Sequence, residues 1–270
     1  MNDDKHTQPG DVTVVKLGGS IFDQKDTTIT DVIRLQKQGV PLVLVHGGAN
    51  LVTKWLSNNN TKTNFHQGER VTDQAALEMV TAVLGGLVNK EIVAAINVGG
   101  GRAVGISGAD GGLIQGKIRD EKMGYIGSVV KVDSSVIMSL LQAGFTPVIA
   151  PVSLHACERP QDAPLLLNIN GDTIAGEIAA ALEVDKLILL TDVEGIRDQA
   201  GQLLPCLTPA EAKELLETGV ASGGMIPKVK SCLRAISNTR TCCIIVDGRQ
   251  QHALFNAVTT DCGGTTIRPV

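Results

Sequence analysis

The chain has 270 residues, 43% of them hydrophobic and 19% charged, a composition that predicts a folded globular protein and excludes disorder, collagen and coiled coil. Its length suits one large α/β domain or two lobes of ordinary size. A net charge of -4, with only four phenylalanines, one tryptophan and one tyrosine, argues against a nucleic-acid partner.

The sequence also predicts a cytoplasmic location and no membrane partner. Its first residues lack the apolar segment of a signal peptide, and the strongest apolar runs, at 40–45, 187–190 and 242–246, are shorter than the roughly 20 residues of a membrane helix. Six cysteines without a C-x-x-C pair are interpreted as reduced, buried thiols and not as zinc ligands or disulfides.

In the first half of the chain, short β-type runs alternate with segments of helical period, which is typical of a mainly parallel sheet in an α/β fold. Strands are predicted at 12–16 and 40–45, each stopped by a glycine pair, with a helix at 29–38 between them. Asp73 is the expected N-cap of a long apolar helix that reaches about Val98, and part of its broad face should pack against a second subunit.

The remaining elements follow in order. We predict a strand at 103–107, an antiparallel hairpin of 113–118 and 129–132 added at an edge of the sheet, a helix at 134–142 and a strand at 146–151. The polar segment 155–164 is the expected boundary between an N-terminal lobe, residues 1–165, and a C-terminal lobe, residues 166–270. The second half predicts helices at 172–182, 209–216 and 228–237, and strands at 186–191 and 241–246.

Two glycine-rich segments resemble nucleotide-binding motifs, but neither fits its motif. The segment from Gly111 to Lys117 has Walker A spacing, but Ile118 stands where a magnesium-binding hydroxyl is needed. The glycines at 99–105 precede a strand instead of following one, which indicates a turn.

Glycine pairs at the strand ends are the stronger signal. The first strand ends in Lys16-Leu-Gly18-Gly19 and the second in His46-Gly47-Gly48. Backbone N–H groups without a Cβ can surround an anion, and the lysine adds positive charge. Because parallel strands end at one edge of the sheet, both pairs should face one crevice suited to phosphate chemistry. Each pair taken alone is equally typical of a tight turn.

Two later segments are ambiguous in the same way. Asn168-Ile-Asn170-Gly-Asp172 places an acid and two amides at a helix start, where an N-cap alone would explain them. Gly224-Met-Ile-Pro-Lys228 sets a lysine behind a glycine turn, although a lysine on a helix is commonly just solvated.

Taken in order, these segments resemble the amino acid kinase family. The resemblance also includes Gly68-Glu-Arg70-Val-Thr-Asp, Val-Asn-Lys90, Gly105-Ile-Ser-Gly-Ala-Asp-Gly and Leu-Thr-Asp192-Val-x-Gly195, and it runs from about residue 12 to residue 267. Within the family, the motifs are most similar to those of members that phosphorylate N-acetyl-L-glutamate.

The resemblance implies a three-layer αβα sandwich around a mainly parallel sheet, with N-acetyl-L-glutamate on the N-terminal lobe and MgATP on the C-terminal lobe. The implied reaction converts the side-chain carboxylate to N-acetyl-L-glutamyl 5-phosphate, a step of arginine biosynthesis. The implied cofactor is ATP with Mg²⁺, the metal being held mainly by the phosphates and water.

The resemblance also assigns roles to residues. Lys16 and Lys228 would flank the transferring phosphoryl group, with Asp172 between them. The implied substrate-binding residues are Gly47, Gly48, Arg70 and Asn168. The implied phosphate- and ATP-binding residues are Gly18, Gly19, Thr191, Asp192, Gly195, Ile196, Arg197, Val220, Ala221, Ser222, Gly223 and Gly224. Without the resemblance, Arg70 would be interpreted as forming a surface ion pair with Glu69 or Asp73.

The chain departs from the family pattern at two places. Ala49-Asn50 follows the second glycine pair where Gly-Pro is usual, and Glu69 stands where a hydrophobic residue is usual. Two alternatives therefore stay open: a kinase for aminoadipate or glutamate attached to a carrier protein, and a non-catalytic amino-acid sensor. Only about ten residues precede the first strand, so we expect an arginine-insensitive homodimer without the extra N-terminal helix of arginine-inhibited hexamers.

Overall fold

The computed structural model describes residues 11–18, 26–59, 65–66, 69–237, 241–260 and 263–269. The strands of these residues are β1 Thr13–Leu17, β2 Leu42–His46, β3 Phe65–His66, β4 Glu69–Arg70, β5 Ala103–Ser107, β6 Ile114–Ile118, β7 Gly127–Val132, β8 Thr146–Ala150, β9 Val152–His155, β10 Leu166–Asn168, β11 Lys186–Thr191, β12 Cys206–Leu207, β13 Cys242–Asp247 and β14 Thr265–Ile267. The helices are α1 Thr28–Lys37, α2 Ala49–Asn58, α3 Gln74–Val80, α4 Asn89–Val98, α5 Ser135–Gln142, α6 Gly171–Leu182, α7 Pro209–Glu217, α8 Met225–Ile236 and α9 Ala253–Thr260.

The main sheet has eight strands in the order β12-β14-β13-β11-β1-β2-β8-β5. Neighbours are parallel except for β13 and β14, which run antiparallel. In β1, Thr13 pairs with Lys186 of β11 on one side and with Leu42 of β2 on the other. The carboxyl ends of these central strands therefore meet at one edge, as the glycine pairs predicted.

Helices cover both faces of this sheet. Alternate residues of β1 point into different cores, Val14 toward α5–α8 and Val15 toward α1–α4 and α9. Both cores are almost wholly aliphatic, and their strand residues are fully buried. The prediction of a three-layer αβα sandwich is confirmed.

The predicted hairpin of β6 and β7 forms, but its predicted place at an edge of the main sheet is wrong. It belongs to a separate four-stranded sheet in the order β10-β9-β6-β7. Two glycines at positive φ, Gly111 and Gly112, redirect the chain after β5, and β6 then pairs in parallel with β9. Neither β9 nor β10 was predicted.

The long helix predicted from Asp73 forms, and the Asp73 carboxylate accepts a hydrogen bond of 2.8 Å from the Ala76 N–H. A π-helical segment, Thr81–Val88, joins α3 to α4 and was not predicted. By length and composition, Gln74–Val98 is the one helix of the described residues that could cross a membrane. It instead packs as a core helix, with Val80, Leu84 and Ile92 buried against the sheet and its neighbouring helices.

Three further differences from the prediction concern helices. Helix α2 follows the second glycine pair and helix α9 packs against α1, and neither helix was predicted. Helix α8 begins at Met225 and not at Lys228, because Pro227 fits the first turn of a helix, where no N–H partner is required.

Candidate active site

Two lysines meet on one carboxylate at the centre of the molecule. Lys16, near the carboxyl end of β1, lies 2.9 Å from Asp172 Oδ1, and Lys228, in α8, lies 3.0 Å from Oδ2. The three side chains are 13%, 12% and 5% exposed. Burial favours the neutral acid, but both ammonium groups oppose it and hold the pKa of Asp172 below its ordinary value. The group is therefore an ionised triad with one net positive charge.

Local structure explains why Asp172 is free to pair with both lysines. Asn170, not Asp172, caps α6, since its Oδ1 accepts hydrogen bonds from the N–H groups of Asp172 and Thr173. Helix α8 lies against α6 because Gly176 has no side chain: a Cβ there would come within 2.9 Å of Ser231 Cα. This close packing brings Lys228 to the first turn of α6.

A cavity of about 320 Å³ opens beside this triad. Its polar lining contains the predicted residues Lys16, Gly18, Gly47, Gly48, Arg70, Asn168 and Asp172. The long helix contributes Val80, Leu84, Val88 and Ile92 to its apolar lining. The structure therefore places Lys16, Asp172 and the predicted substrate-binding residues around one space, with a charged side and an apolar side. Lys228 does not line this space and contacts it through Asp172.

Arg70 is 6% exposed, so its side chain is buried and does not lie on the surface. Its Nη2 donates hydrogen bonds to Ala49 O at 3.0 Å and to Thr53 Oγ1 at 2.7 Å. Burial lowers the pKa of the guanidinium from its ordinary value. A buried cation beside a cavity is well suited to bind a carboxylate.

Asn168 and Arg70 are connected through Thr72, which is fully buried. The Thr72 hydroxyl donates to Arg70 O at 3.0 Å and accepts from Asn168 Nδ2 at 3.0 Å. Because Nδ2 is used in this way, Asn168 Oδ1 is left as an acceptor. Thr72 was not predicted as a site residue.

His46 lines the cavity and contacts the buried Asn89, and neither was predicted as a site residue. Burial, together with the charges of Lys16 and Lys90, lowers the pKa of His46 to about 4, so the imidazole is neutral at pH 7. Its Nδ1 lies 2.9 Å from Gly47 O, and its Nε2 lies 3.3 Å from Asn89 Nδ2. Both residues occur in motifs that carried the resemblance, which was the available signal.

Of the predicted nucleotide-binding residues, Gly18 lines this cavity, whereas residues 191–197 and 220–224 do not. Gly18 packs against β11, where a Cβ would be 3.1 Å from Leu190 O and 3.9 Å from Thr191 Cα. The Ile196 side chain is buried in the core, and its N–H donates to Thr265 Oγ1. Arg197 pairs with Glu194 at 2.7 Å.

The second predicted segment, residues 220–224, is the loop before α8. Ala221 is buried, whereas no atom lies within 4 Å of where a Cβ would be at Gly223 or Gly224. The loop is therefore open on the side of its glycines. Gly19 falls outside the described residues.

The model of the amino acid kinase family matches residues 11–247. The chain belongs to this family. An acetylglutamate kinase from Dehalococcoides mccartyi is 48% identical over 256 residues, 95% of this chain and 94% of the relative. One from Thermosynechococcus vestitus is 44% identical, over 94% of this chain and 86% of the relative.

Solved structures agree with this membership. A Streptococcus mutans protein superposes with a TM-score of 0.81 at 26% identity, covering 96% of this chain and 99% of its own. The amino acid kinase fold seen here thus extends over nearly the whole chain, beyond the residues that the family model matches.

Proposed function

We propose that the protein catalyses ATP-dependent phosphorylation of the side-chain carboxylate of N-acetyl-L-glutamate, giving N-acetyl-L-glutamyl 5-phosphate and ADP. The observation that carries the proposal is the pair of ammonium groups on Asp172, at 2.9 and 3.0 Å, beside a cavity that also holds Arg70. Relatives named acetylglutamate kinase, 41–48% identical over most of the chain, support the choice of substrate. On this proposal the protein acts in arginine biosynthesis.

The reaction requires positive charge beside the two anionic reactants and a fixed position for each of them. A substrate carboxylate with a pKa of about 4.3 is already ionised at pH 7, so no general base is needed. One of its oxygens attacks the γ-phosphorus, the bond from that phosphorus to the β,γ-bridging oxygen breaks, and ADP leaves with the electron pair. Lys16 and Lys228 offset the repulsion between the two anions, and Asp172 keeps the ammonium groups at a fixed separation.

The cavity suits the rest of this substrate. Arg70 would pair with the α-carboxylate, and Asn168 Oδ1 would accept the N–H of the acetamido group, because Nδ2 is already bonded to Thr72. The backbone N–H groups near Gly47 and Gly48 would bind oxygens close to the reacting centre. The apolar side of the cavity would accommodate carbon-bound hydrogens of the substrate.

For the nucleotide, we propose residues 191–197 and the 220–224 loop, with Gly18 and Gly19 near the phosphates. Residues 1–165 would then form the substrate lobe and residues 166–270 the nucleotide lobe, although one sheet runs through both. Among the described residues no three His, Cys, Asp or Glu side chains are grouped to hold a metal ion. The Mg²⁺ would therefore be bound mainly through the ATP phosphates and water.

We also propose a cytoplasmic homodimer. Its support is the exposure of Leu87 and Val98 on the long helix, which would leave apolar side chains in water in a monomer. Sedimentation velocity distinguishes a dimer from a monomer or hexamer. Arginine insensitivity stays a prediction, because residues 1–10 are outside the described residues.

The test of function is ADP release in a coupled assay with N-acetylglutamate, glutamate or aminoadipate, with hydroxylamine added to trap any acyl phosphate. We expect ADP and hydroxamate with N-acetylglutamate alone. Activity with aminoadipate or glutamate but not with N-acetylglutamate would support the carrier-dependent kinase. Binding of an amino acid without ADP release from any substrate would support the sensor.

A further inference from the structure

Asn89, the first residue of α4, is fully buried against three strands, β2, β5 and β8. Its Nδ2 is 2.9 Å from Val148 O in β8, 3.3 Å from Ile106 O in β5 and 3.3 Å from His46 Nε2 at the end of β2. Its Oδ1 accepts a hydrogen bond of 3.0 Å from Lys90 Nζ. One side chain thus connects the long helix to three strands of the main sheet.

The space for this side chain depends on Gly105. A Cβ at that position would overlap Asn89 Oδ1 and would lie 2.8 Å from Lys90 Nζ and 2.9 Å from Val93 Cγ2. The π-helical segment ends immediately before Asn89, and its additional residue shifts the helix register at this place. Gly105 leaves the space that the Asn89 side chain occupies, and the register shift sets where Asn89 lies on the helix.

His46 connects Asn89 to the cavity. Its neutral imidazole can donate through Nδ1 to Gly47 O while Nε2 accepts from Asn89, so one tautomer satisfies both contacts. The His46 backbone lies between the two walls of the cavity: Gly47 follows it, and a Cβ on Gly171 would be 3.1 Å from His46 O. Asp172 comes directly after Gly171.

We propose that Asn89 is a positioning residue, which acts through His46 to fix the peptides of Gly47 and Gly48 relative to Lys16 and Asp172. The inference rests on the proposed function. If these peptides bind the substrate, a shift of their backbone moves the attacking carboxylate away from the line of phosphoryl transfer. Misplacement by about 1 Å can cost on the order of 10²-fold in rate.

The experiment measures steady-state kinetics and thermal unfolding of Asn89→Ala beside a matched control, Asn97→Ala. Asn97 is in the same helix and also binds β5, at the end of that strand remote from the cavity. Its Nδ2 donates to Ala103 O, and its Oδ1 accepts from the Ala103 N–H. We expect Asn89→Ala to lose about 10²-fold in kcat/KM for N-acetylglutamate, with an increased KM for that substrate and an unchanged KM for ATP. Asn97→Ala should be less stable but kinetically normal.

Two His46 variants cover the case in which Asn89→Ala does not fold. The Gln side chain in His46→Gln can place an acceptor near the position of Nε2, whereas that in His46→Asn reaches only the position of Nδ1. We therefore expect His46→Gln to keep more kcat/KM than His46→Asn. The proposal is overturned if neither Asn89→Ala nor His46→Asn lowers kcat/KM for N-acetylglutamate, or if Asn97→Ala matches the loss.

The two proposals fail in distinguishable ways. A wild-type protein that releases no ADP with N-acetylglutamate refutes the proposed function, and this inference with it. An active wild type with kinetically normal Asn89 and His46 variants refutes the inference alone.

Discussion

Replacing Asp172 with asparagine removes the shared partner of both lysines and keeps the size of the side chain. At 2.9 and 3.0 Å, each ion pair provides roughly 6 kcal/mol of attraction at an effective dielectric constant of about 20. Most of this offsets the cost of burying three charges. After the change, Lys16 and Lys228 repel each other without a counter-ion.

We expect the free energy of unfolding to fall by about 3 kcal/mol, the lower end of the range for breaking a buried ion pair. The lower end applies because the lysines are still 13% and 12% exposed and can turn toward water. We expect kcat to fall about 10²–10³-fold, because the ammonium groups lose their alignment on the transferring phosphoryl group. Binding of ADP should persist, since the site gains positive charge.

The assays are urea unfolding, steady-state ADP release and calorimetric titration with ADP. Glu177→Gln is the matched control, because Glu177 is in the same helix and pairs with Arg234 at 2.9 Å on the surface, where a pair contributes about 0–1 kcal/mol. An Asp172→Asn protein with near wild-type kcat would refute the role of Asp172. A loss of kcat accompanied by complete loss of ADP binding would indicate collapse of the site instead.

Two further predictions concern the neighbours of the cavity. The pKa of His46 is about 4 in the fold against 6.5 in the unfolded chain, so the unfolded state binds more protons between these values and stability falls as pH drops from about 6.5 to about 4. This difference between the two pKa values corresponds to about 3 kcal/mol of unfolding free energy. Urea unfolding of His46→Gln should lack that part of the pH dependence. An identical pH dependence in the variant would contradict a neutral His46 in the fold. Thr72→Val removes the hydroxyl between Arg70 and Asn168 and should raise the KM for N-acetylglutamate about tenfold with no change in the KM for ATP. An unchanged KM for N-acetylglutamate would contradict the role of Thr72.

The main sheet was predictable because its signals are local. Buried parallel strands appear as short apolar runs, and Gly18 and Gly47 stand where β1 and β2 end. Parallel pairing then places those ends at one edge without further information. The resemblance supplied what spacing could not, namely that Lys16 and Lys228 meet on Asp172.

The features that were missed depend on contacts between distant residues. The hydrogen bonds of Asn89 to β2, β5 and β8 leave no periodic pattern, and an isolated Val-Asn-Lys segment gives no reason to place an amide under three strands. The neutral state of His46 follows from burial, which composition does not reveal. The second sheet was missed because β6 pairs with β9, whose sequence is a short continuation of β8.

The place of β1 in the sheet has a consequence for biosynthesis of the chain. Among the described strands, β1 is the first to leave the ribosome, yet one of its two neighbours is β11, at residues 186–191. Until that segment is synthesised, β1 presents an open hydrogen-bonding edge to other nascent chains. Chains that terminate before residue 186 would therefore be prone to aggregate, and would also lack Lys228.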